Sequence, residues 1–312
     1  LAINLKFFLN CRNIFKQYPD LKIAIIDYDF LCPKIIILAL MSLNIKTVCA
    51  QERFILGFFK SMNILIDDYF TPSNKMNEIL KKNKLNLAKN LTSVGIYRAD
   101  KLSKKIRKKG SRNIIVALGF QTSHTSHDSE VQMLTNWRAS KLFLEEMYRL
   151  SHDINNCKII IRLKDMEGYK NLYFKKIINK IKIKKNIEIN INSEAEYSYK
   201  ICSKADLVIA KHTSIADECI SRDIPVIFHD YTHNLDGIVR GIFDYDDSLL
   251  VCKNYMDIFN NTKKFLSFES NNLKKEFQKI KSKYYFYDKK VTVKDKILDH
   301  INNYLILKKN KL

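Results

Sequence analysis

Short apolar runs recur along this chain with segments of helical pattern between them, and this alternation limits the fold more than any other feature. From residue 113 onward the runs are NIIVALGF (113–120), CKIIIRL (157–163), IEINI (187–191), DLVIA (206–210) and PVIF (225–228). The segments at 132–152, 168–182, 194–203 and 214–222 are predicted helices. Strands that are apolar throughout are typical of parallel sheets covered on both faces. The pattern predicts an α/β domain with a doubly wound parallel sheet.

The first hundred residues show the same alternation on a smaller scale. Strands are predicted at Leu21–Asp27, Thr47–Ala50 and Ile64–Phe70, and helices near 33–43 and at 74–89. The stretch SVGIYRAD (93–100) is interpreted as the link to the second series. Because only about three strands precede this link, we expect the N-terminal domain to be incomplete, with an upstream part missing.

Two Rossmann-like α/β domains are therefore expected, the first at 1–95 and the second at 110–265. Helices near 255–266, 270–282 and 292–306 end the chain, and we assign 266–312 to closing helices, the last of which could return to the first domain. A chain of 312 residues with 46% hydrophobic content can bury two cores of this size.

The composition bears on whether the chain crosses a membrane and on the cellular compartment in which it is expected. The longest nearly uncharged run, 35–45, is far shorter than the roughly 20 apolar residues of a membrane-spanning helix. The seven cysteines form no CxxC pair, and several lie in apolar runs where they are interpreted as core residues. The chain starts at Leu1 without a leader pattern. We expect a protein of the reducing cytoplasm.

The formal net charge of +21 raises the question of an anionic partner. Lysines cluster at 101–109, 175–185 and 308–311, in segments that resemble solvated helix faces or tails. We expect no nucleic-acid partner. The sequence leaves open whether these basic faces rest on anionic lipid headgroups, as a peripheral protein at the inner face of the cytoplasmic membrane, or meet only water.

The stretch AKHTSIADECISRDIPVIFHDY (210–231) places polar side chains between two buried strands. His212, Thr213 and Ser214 form the turn after the first strand, and a helix is predicted to begin at about Ser214. The unpaired N–H groups of a helix start favour an anion such as phosphate, to which both hydroxyls could donate. The alternative is simple helix capping, with Asp217 closing a capping box from Ser214 or Glu218 stabilising the helix dipole.

Two cations stand at the end of a neighbouring strand. Arg162 and Lys164 follow CKIII and alternate to the same side, where they could hold the oxygens of a diphosphate. Charged side chains also occur at strand ends as ordinary solvated groups. Because the carboxyl ends of parallel strands meet at one edge, the cations, the hydroxyl-bearing turn and a polar loop after NIIVALGF converge there.

That loop, QTSHTSHDSE (121–130), contains His124 and His127. Together with Asp128 or Glu130 they could be metal ligands, but neither a cysteine nor a third histidine stands at zinc-like spacing, so we expect no metal. His124 is instead a candidate for acid–base catalysis or phosphate contact. His229 and His233 stand in FHDYTH, beyond the last strand of the series, and could face a ligand or the surface.

The segment ADLVIAKHTSIADECISRDIPVIF (205–228) resembles the donor-binding region of GT-B glycosyltransferases of surface and capsular polysaccharide synthesis. Related patterns occur in CDP-glycerol glycerophosphotransferases, β-Kdo transferases and non-hydrolysing UDP-GlcNAc 2-epimerases. The later stretch DGIVRGIFDYDDSLLVCKNYMDI is similar to the glycerophosphotransferase region that follows. In the first half, LALMSLNIKTVCAQERF and SVGIYRADKL resemble a family strand and turn and a family hinge.

The resemblance implies a GT-B fold whose two domains face a cleft and a metal-independent transferase that needs no cofactor beyond its nucleotide-activated donor. It implies that Glu218 binds the donor ribose or sugar, that Thr213 and Ser214 bind its phosphates, and that His212 faces the cleft. The family turn Gln-His-Gly reads Gln51-Glu52-Arg53 here, and Tyr97 replaces a hinge proline. With the family histidine absent, the catalytic base is open between His124, His212 and Glu52.

The expected function is transfer of a glycosyl or glycerophosphoryl unit from a nucleotide-activated donor to a surface-glycan or lipid-linked acceptor. Two alternatives remain at this stage: a sugar-nucleotide 2-epimerase, which shares the fold, and a non-catalytic sugar-nucleotide-binding protein of the same pathway. Donor base, sugar and acceptor are left open by the sequence.

Overall fold

The computed structural model divides the chain into two compact units, Leu1–Asp100 with Ser282–Leu312, and Lys101–Lys281. We call them the N-terminal unit and the C-terminal unit. The structure describes residues 2–27, 32–51, 63–103, 112–119, 137–163, 166, 168–192, 194, 196–211, 213–229, 248–267, 271–286, 288 and 290–309. Within these ranges it contains two parallel sheets and ten α-helices.

The N-terminal unit is built on a four-stranded sheet. Its strands, in spatial as well as chain order, are β1 (Ile23–Ile26), β2 (Lys46–Ala50), β3 (Asp68–Thr71) and β4 (Asn90–Ser93), all parallel. Its helices are α1 (Ala2–Lys16), α2 (Lys34–Met41), α3 (Asn74–Lys82) and α10 (Val293–Lys309). A 3-10 turn, Tyr97–Lys101, follows β4.

The last helix of the chain completes the core of this unit. Val293, in the first turn of α10, is buried with Val48 of β2, Phe70 of β3 and Val94. The approach of the chain to α10 is fixed by Gly95, which has a φ of +104° and on which a Cβ would lie 2.6 Å from the carbonyl oxygen of Phe286. Only glycine fits this left-handed, closely packed position.

A buried carboxylate also ties α10 to the sheet. Asp68, at the start of β3, accepts hydrogen bonds from Asn90 Nδ2 at 2.7 Å and from His300 Nε2 at 2.7 Å, and it pairs with Lys46 Nζ at 2.7 Å. The ammonium of Lys46 also lies 4.3 Å from the ring centroid of Tyr304 on α10. Burial of Asp68 is thus compensated by two cationic or cation-capable partners and an amide.

The C-terminal unit has a six-stranded parallel sheet. Its strands are β5 (Asn113–Leu118), β6 (Cys157–Arg162), β7 (Ile187–Asn190), β8 (Leu207–Ala210), β9 (Val226–His229) and β10 (Val251–Cys252). The spatial order is β10-β9-β8-β5-β6-β7. Counted from β5 as the first strand this is the order 3-2-1-4-5-6 read in reverse, which is the doubly wound arrangement predicted from the alternation of strands and helices.

The helices of this unit are α4 (Trp137–Asp153), α5 (Leu172–Lys182), α6 (Tyr197–Cys202), α7 (Ser214–Ser221), α8 (Tyr255–Leu266) and most of α9 (Asn271–Tyr284). A 3-10 turn, Gly168–Lys170, precedes α5. Every residue of β8 and of β9 is buried, as expected for central strands with continuous apolar sequences. No disulfide links any of the seven cysteines, all of which the structure describes and six of which are buried.

Candidate functional site

The strand order of the C-terminal unit creates a switch point between β5 and β8. The chain runs from β5 to β6 on one side and from β8 to β9 on the other, while β5 and β8 pair with each other, Leu118 opposite Ala210. The pairing continues past the strands, where the N–H of Lys211 donates to the carbonyl of Leu118 at 3.2 Å. In sheets of this topology, ligands bind in the crevice at the carboxyl ends of the two strands that flank the switch point.

Gly119 leaves β5 at this edge with no room for a side chain. A Cβ at this position would lie 2.5 Å from the Cδ2 atom of the fully buried Leu163, and its N–H donates to the carbonyl of Arg162 at 3.0 Å. The backbone after β5 therefore passes directly against the end of β6. A side chain here would enter the core against Leu163 and Phe143, so glycine is needed for the backbone after β5 to pack this closely at the switch point.

The turn after β8 starts helix α7 at Ser214. Thr213 is the N-cap, with extended backbone angles of −148° and 137°, and its side chain makes no capping hydrogen bond. Ser214 is already helical, so it does not cap, and the capping box predicted as the alternative does not form. The first N–H groups of α7 consequently face the switch point without a capping oxygen from Thr213, which is the arrangement that accepts an anion.

Two carboxylates are buried in α7. Glu218 is 1% exposed and Asp217 is 5% exposed, and the hydroxyl of Ser221 donates to the carbonyl of Glu218 at 2.7 Å. Glu218, predicted from the family resemblance to bind the donor ribose, thus lies in the first two turns of the helix at the switch point. Burial of an ionisable group at such a place is typical of functional sites.

Arg162 ends β6 and is held by its own unit. Its Nε donates to the Oγ of Ser198 on α6 at 3.1 Å, and its Nη1 donates to the carbonyl of Leu163. Partial burial lowers the pKa of the guanidinium below its ordinary value. These contacts fix the position of the guanidinium beside α6. Its predicted contact with a donor diphosphate remains a prediction.

Four predicted site residues, Lys164, His212, His124 and Glu52, lie outside the described residues. The structure does describe the residues that immediately precede Glu52 in the chain. Gln51 follows β2 and is buried, and a cavity of about 190 Å³ lies close by, lined at the strand ends by Ile26, Asp27 and Ala50. From these strand ends the cavity extends along β1 and β2 to Ile297 and Ile301 of α10.

The sequence prediction placed His229 beyond the last strand, facing a ligand or the surface, but the structure buries it as the last residue of β9 in an ionisable cluster that was not predicted. His229 ends β9, and its Nε2 lies 2.7 Å from Oε2 of Glu146 on α4. The ring of Phe143 meets that of His229 edge-on at a centroid distance of 5.1 Å. Lys211, which follows β8, is also buried and acts electrostatically on His229.

The charge state of His229 follows from these neighbours. Burial is the largest influence and lowers its pKa; the hydrogen bond and charge of Glu146 oppose this, and the charge of Lys211 lowers it further, so that the pKa lies below the ordinary value. A signal for Glu146 was present in the sequence, because it follows Phe143 at helical spacing on the buried stripe of α4. Its partner, 83 residues away, could not be read from local pattern.

Among the described residues, no group of three or more histidine, cysteine, aspartate or glutamate side chains is placed to hold a metal ion. The loop with His124 and His127 lies outside them. No helix in the described ranges is both long and apolar enough to cross a membrane.

No protein-family model matches the chain, and no curated protein has a significantly similar sequence. Solved structures do match it. The S. aureus MnaA–UDP co-structure has a TM-score of 0.61 at 12% identity and covers 97% of this chain and 79% of its own. UDP-GlcNAc 2-epimerase from Neisseria meningitidis, bound to UDP-GlcNAc, has a TM-score of 0.56 at 12% identity, with 96% and 81% covered.

The wall teichoic acid polymerase TagF has a TM-score of 0.55 at 11% identity, covering 84% of this chain and 70% of its own. At such identities the likeness establishes the fold. The predicted α/β fold of the GT-B type, with two parallel sheets, is confirmed. Membership of the glycerophosphotransferase or β-Kdo transferase families stays a prediction.

Proposed function

We propose that this protein is a GT-B enzyme that binds a nucleotide-activated sugar at the switch point of its C-terminal unit and transfers the sugar, or a glycerophosphoryl unit, to a surface-polysaccharide acceptor. The observation that carries the proposal is the meeting of Gly119 and the α7 start at one sheet edge, where Thr213 leaves the first N–H groups without a side-chain cap. The matched structures include one solved with UDP and a UDP-GlcNAc 2-epimerase bound to UDP-GlcNAc.

In this proposal the protein supplies positioning and fixed positive electrostatic potential. The N–H groups of α7 and the hydroxyls of Thr213 and Ser214 bind the donor phosphates and stabilise the charge that develops on the departing nucleotide. Arg162 and Lys164 add positive charge, and Glu218 accepts from the ribose hydroxyls. His124, His212 and Glu52 are the candidate bases that deprotonate the acceptor hydroxyl. The donor is a substrate, and we propose neither a metal nor a further cofactor.

A second candidate is a sugar-nucleotide 2-epimerase, which is favoured by the 2-epimerase among the matched structures. An epimerase inverts one carbon of the sugar within the nucleotide sugar and needs no acceptor. A third candidate, a non-catalytic sugar-nucleotide-binding protein of the same pathway, would bind without turnover.

The first experiment is a thermal-shift screen with CMP, CDP, UDP and GDP, because a ligand that binds only the folded state raises the melting temperature. The nucleotide sugars that correspond to the stabilising base are then incubated with the protein, with and without a glycan or lipid-linked acceptor. Release of nucleotide that depends on the acceptor supports the transferase. Epimerised sugar without acceptor supports the second candidate, and binding alone supports the third. No stabilisation by any nucleotide contradicts all three.

A further inference from the structure

The first helix of the N-terminal unit carries an unusual amount of exposed apolar surface. Ile3, Leu5, Phe7, Leu9 and Ile14 of α1 are between 45% and 84% exposed. The helix contacts α2, with Cys11 buried and Phe8 and Phe15 half-buried on its inner side. Its outward apolar residues therefore contribute nothing to that packing. Clustered exposed apolar side chains on a folded protein mark a surface that binds another protein or a membrane.

Three of these residues form a stripe. Ile3, Phe7 and Ile14 are spaced i, i+4 and i+11, which brings them within about 40° of one another around the helix axis at 3.6 residues per turn. Lys6 stands next to the stripe on the side away from the core. We call Ile3, Phe7 and Ile14 the α1 stripe. Leu5 and Leu9 lie on the opposite flank of the buried side.

The charges of α1 are all of one sign. It contains Lys6, Arg12 and Lys16 and no acidic residue. Within the part of the chain that the structure describes, none of these three side chains forms a salt bridge. Lys6 flanks the α1 stripe, whereas Arg12 and Lys16 lie on the far side of the helix near Leu5 and Leu9. A wholly basic helix with an apolar stripe is complementary to a surface that is apolar beneath and negatively charged at its boundary.

We propose that α1 is an interfacial anchor that lies in the surface of an anionic lipid bilayer. With 15 residues it is about 22 Å long, so it is shorter than the roughly 30 Å hydrocarbon core and lies along the interface rather than across it. The α1 stripe enters the boundary between headgroups and acyl chains, and the stem of Lys6 extends so that its ammonium group reaches lipid phosphates. The proposal is independent of the proposed function, because it needs no nucleotide.

This assignment differs from attraction by the lysine clusters alone. Exposed charges are screened by salt, whereas burial of apolar side chains is not. Binding through the α1 stripe should weaken at high salt without disappearing. Binding through lysine-rich faces alone should be abolished at high salt. In that case a charge reversal on any one of these faces should weaken binding by a similar amount.

The test uses the full chain and sedimentation with two kinds of vesicle, phosphatidylcholine mixed with phosphatidylglycerol, and phosphatidylcholine alone. The variant Ile3→Ser/Phe7→Ser/Ile14→Ser should bind the anionic vesicles at least roughly a hundredfold more weakly, since three apolar side chains no longer leave water. The matched control is Leu172→Ser/Ile183→Ser, which removes two exposed apolar side chains from the C-terminal unit and should bind as the unaltered protein does.

A second pair of variants examines the charge. Lys6→Glu should weaken binding to anionic vesicles more than Lys176→Glu, which changes an exposed lysine of α5. Tryptophan fluorescence gives an independent measurement. The emission maximum of the Phe7→Trp variant should shift to shorter wavelength on anionic vesicles, and that of Leu172→Trp should not shift. Thermal melts verify that the variants are folded, and all substituted side chains are exposed or half-exposed.

Three results would overturn the proposal. The first is absence of binding to anionic vesicles at low salt. The second is binding that the α1 stripe variant leaves unchanged, which would assign it to the lysine-rich faces. The third is a dimer in light scattering that the stripe variant converts to a monomer, because the occupant of the stripe would then be a second copy of this chain.

Discussion

Nε2 of His300 lies 2.7 Å from Oδ2 of Asp68, and this contact joins the last helix to the third strand of the sheet, 232 residues earlier in the chain. We expect His300→Ala to destabilise the N-terminal unit by about 1–3 kcal/mol, because a buried carboxylate loses one of its three partners. Urea unfolding measures the change. His152→Ala, an exposed histidine of α4, is the control and should stay within about 0.5 kcal/mol.

The same carboxylate predicts an acid transition. Burial raises the pKa of Asp68, but the hydrogen bonds from Lys46, Asn90 and His300 outweigh it and hold the pKa below the ordinary value. A group with a depressed folded pKa stabilises the fold above its unfolded pKa, about 3.9 for aspartate, and this stabilisation is lost as the pH falls through the folded pKa. Asp68→Asn should therefore flatten the fall in stability below about pH 4. An unchanged pH profile in Asp68→Asn would contradict the assignment.

The proposed donor site predicts that a substitution at Thr213 changes nucleotide affinity without changing stability. Thr213→Val should leave the melting temperature almost unchanged, because its side chain makes no capping bond, and should weaken binding of the stabilising nucleotide by about two- to tenfold. The matched control is Ser73→Ala at the N-cap of α3, where Oγ accepts from the N–H of Met76 at 3.2 Å. It should cost about 1 kcal/mol of stability and leave affinity intact. The reverse division would show that Thr213 is structural.

Arg162 offers a second separation. Arg162→Ala should weaken nucleotide binding more than Thr213→Val does, since it removes a cation from the same sheet edge. Because Arg162 also bonds to Ser198, the substitution should lower stability as well. Ser198→Ala removes that hydrogen bond and keeps the cation, so calorimetric titration should show near-normal affinity. Equal affinities for Arg162→Ala and the unaltered protein would exclude Arg162 from the donor site.

The close packing at Gly119 predicts a compensating pair of substitutions. Gly119→Ala should destabilise the C-terminal unit by about 1–3 kcal/mol through overlap with Leu163 and should weaken nucleotide binding. In Gly119→Ala/Leu163→Ala the obstructing side chain is gone, so the double variant should be more stable than the sum of the two single effects. Gly95→Ala should not be rescued by truncating a neighbouring side chain, because a Cβ there would overlap the backbone carbonyl of Phe286. Strict additivity at Gly119 would refute the steric account.

Burial of His229 predicts loss of stability in mild acid. Because its folded pKa is lowered, the unfolded chain binds a proton more readily than the folded protein once the pH falls below about 6.5. Stability attributable to His229 then falls, by at most about 1.4 kcal/mol per pH unit, until the lowered pKa is reached. His229→Gln still offers an amide hydrogen bond to Glu146 and does not titrate. Urea unfolding near pH 7 and near pH 5.5 should show a smaller loss in His229→Gln than in the unaltered protein.

How much of this structure follows from sequence depends on whether an element is determined locally. The helix predicted near 255–266 is observed as α8, Tyr255–Leu266, and the predicted ranges of β8 and α7 agree with the structure within one residue at each end, because buried strands and amphipathic helices carry strong patterns. The strand β4, Asn90–Ser93, was missed. Its sequence NLTS has no apolar alternation, and it forms because it pairs with β3.

Other differences have a tertiary origin. The third strand was predicted at Ile64–Phe70 but begins at Asp68, and Ile64 forms only an isolated bridge with Asn86. The helix α1 was not predicted, because its apolar residues point largely away from the core and its pattern is correspondingly weak. At the candidate site, the sequence predicted the ends of β6 and β8 and the start of α7. It did not predict the contact of His229 with Glu146, because that contact depends on the packing of α4 against β9.

The closing of the N-terminal core by α10 has a consequence for synthesis on the ribosome. The C-terminal unit is a continuous stretch, Lys101–Lys281, so all its residues are available as soon as that stretch has emerged. The N-terminal unit is begun first but stays without Val293 and His300 until the stretch that follows the C-terminal unit has also emerged. Val48 and Phe70 therefore lack their packing partner Val293 while the whole C-terminal unit is being made. The unit that is begun first is therefore the later of the two to complete its core.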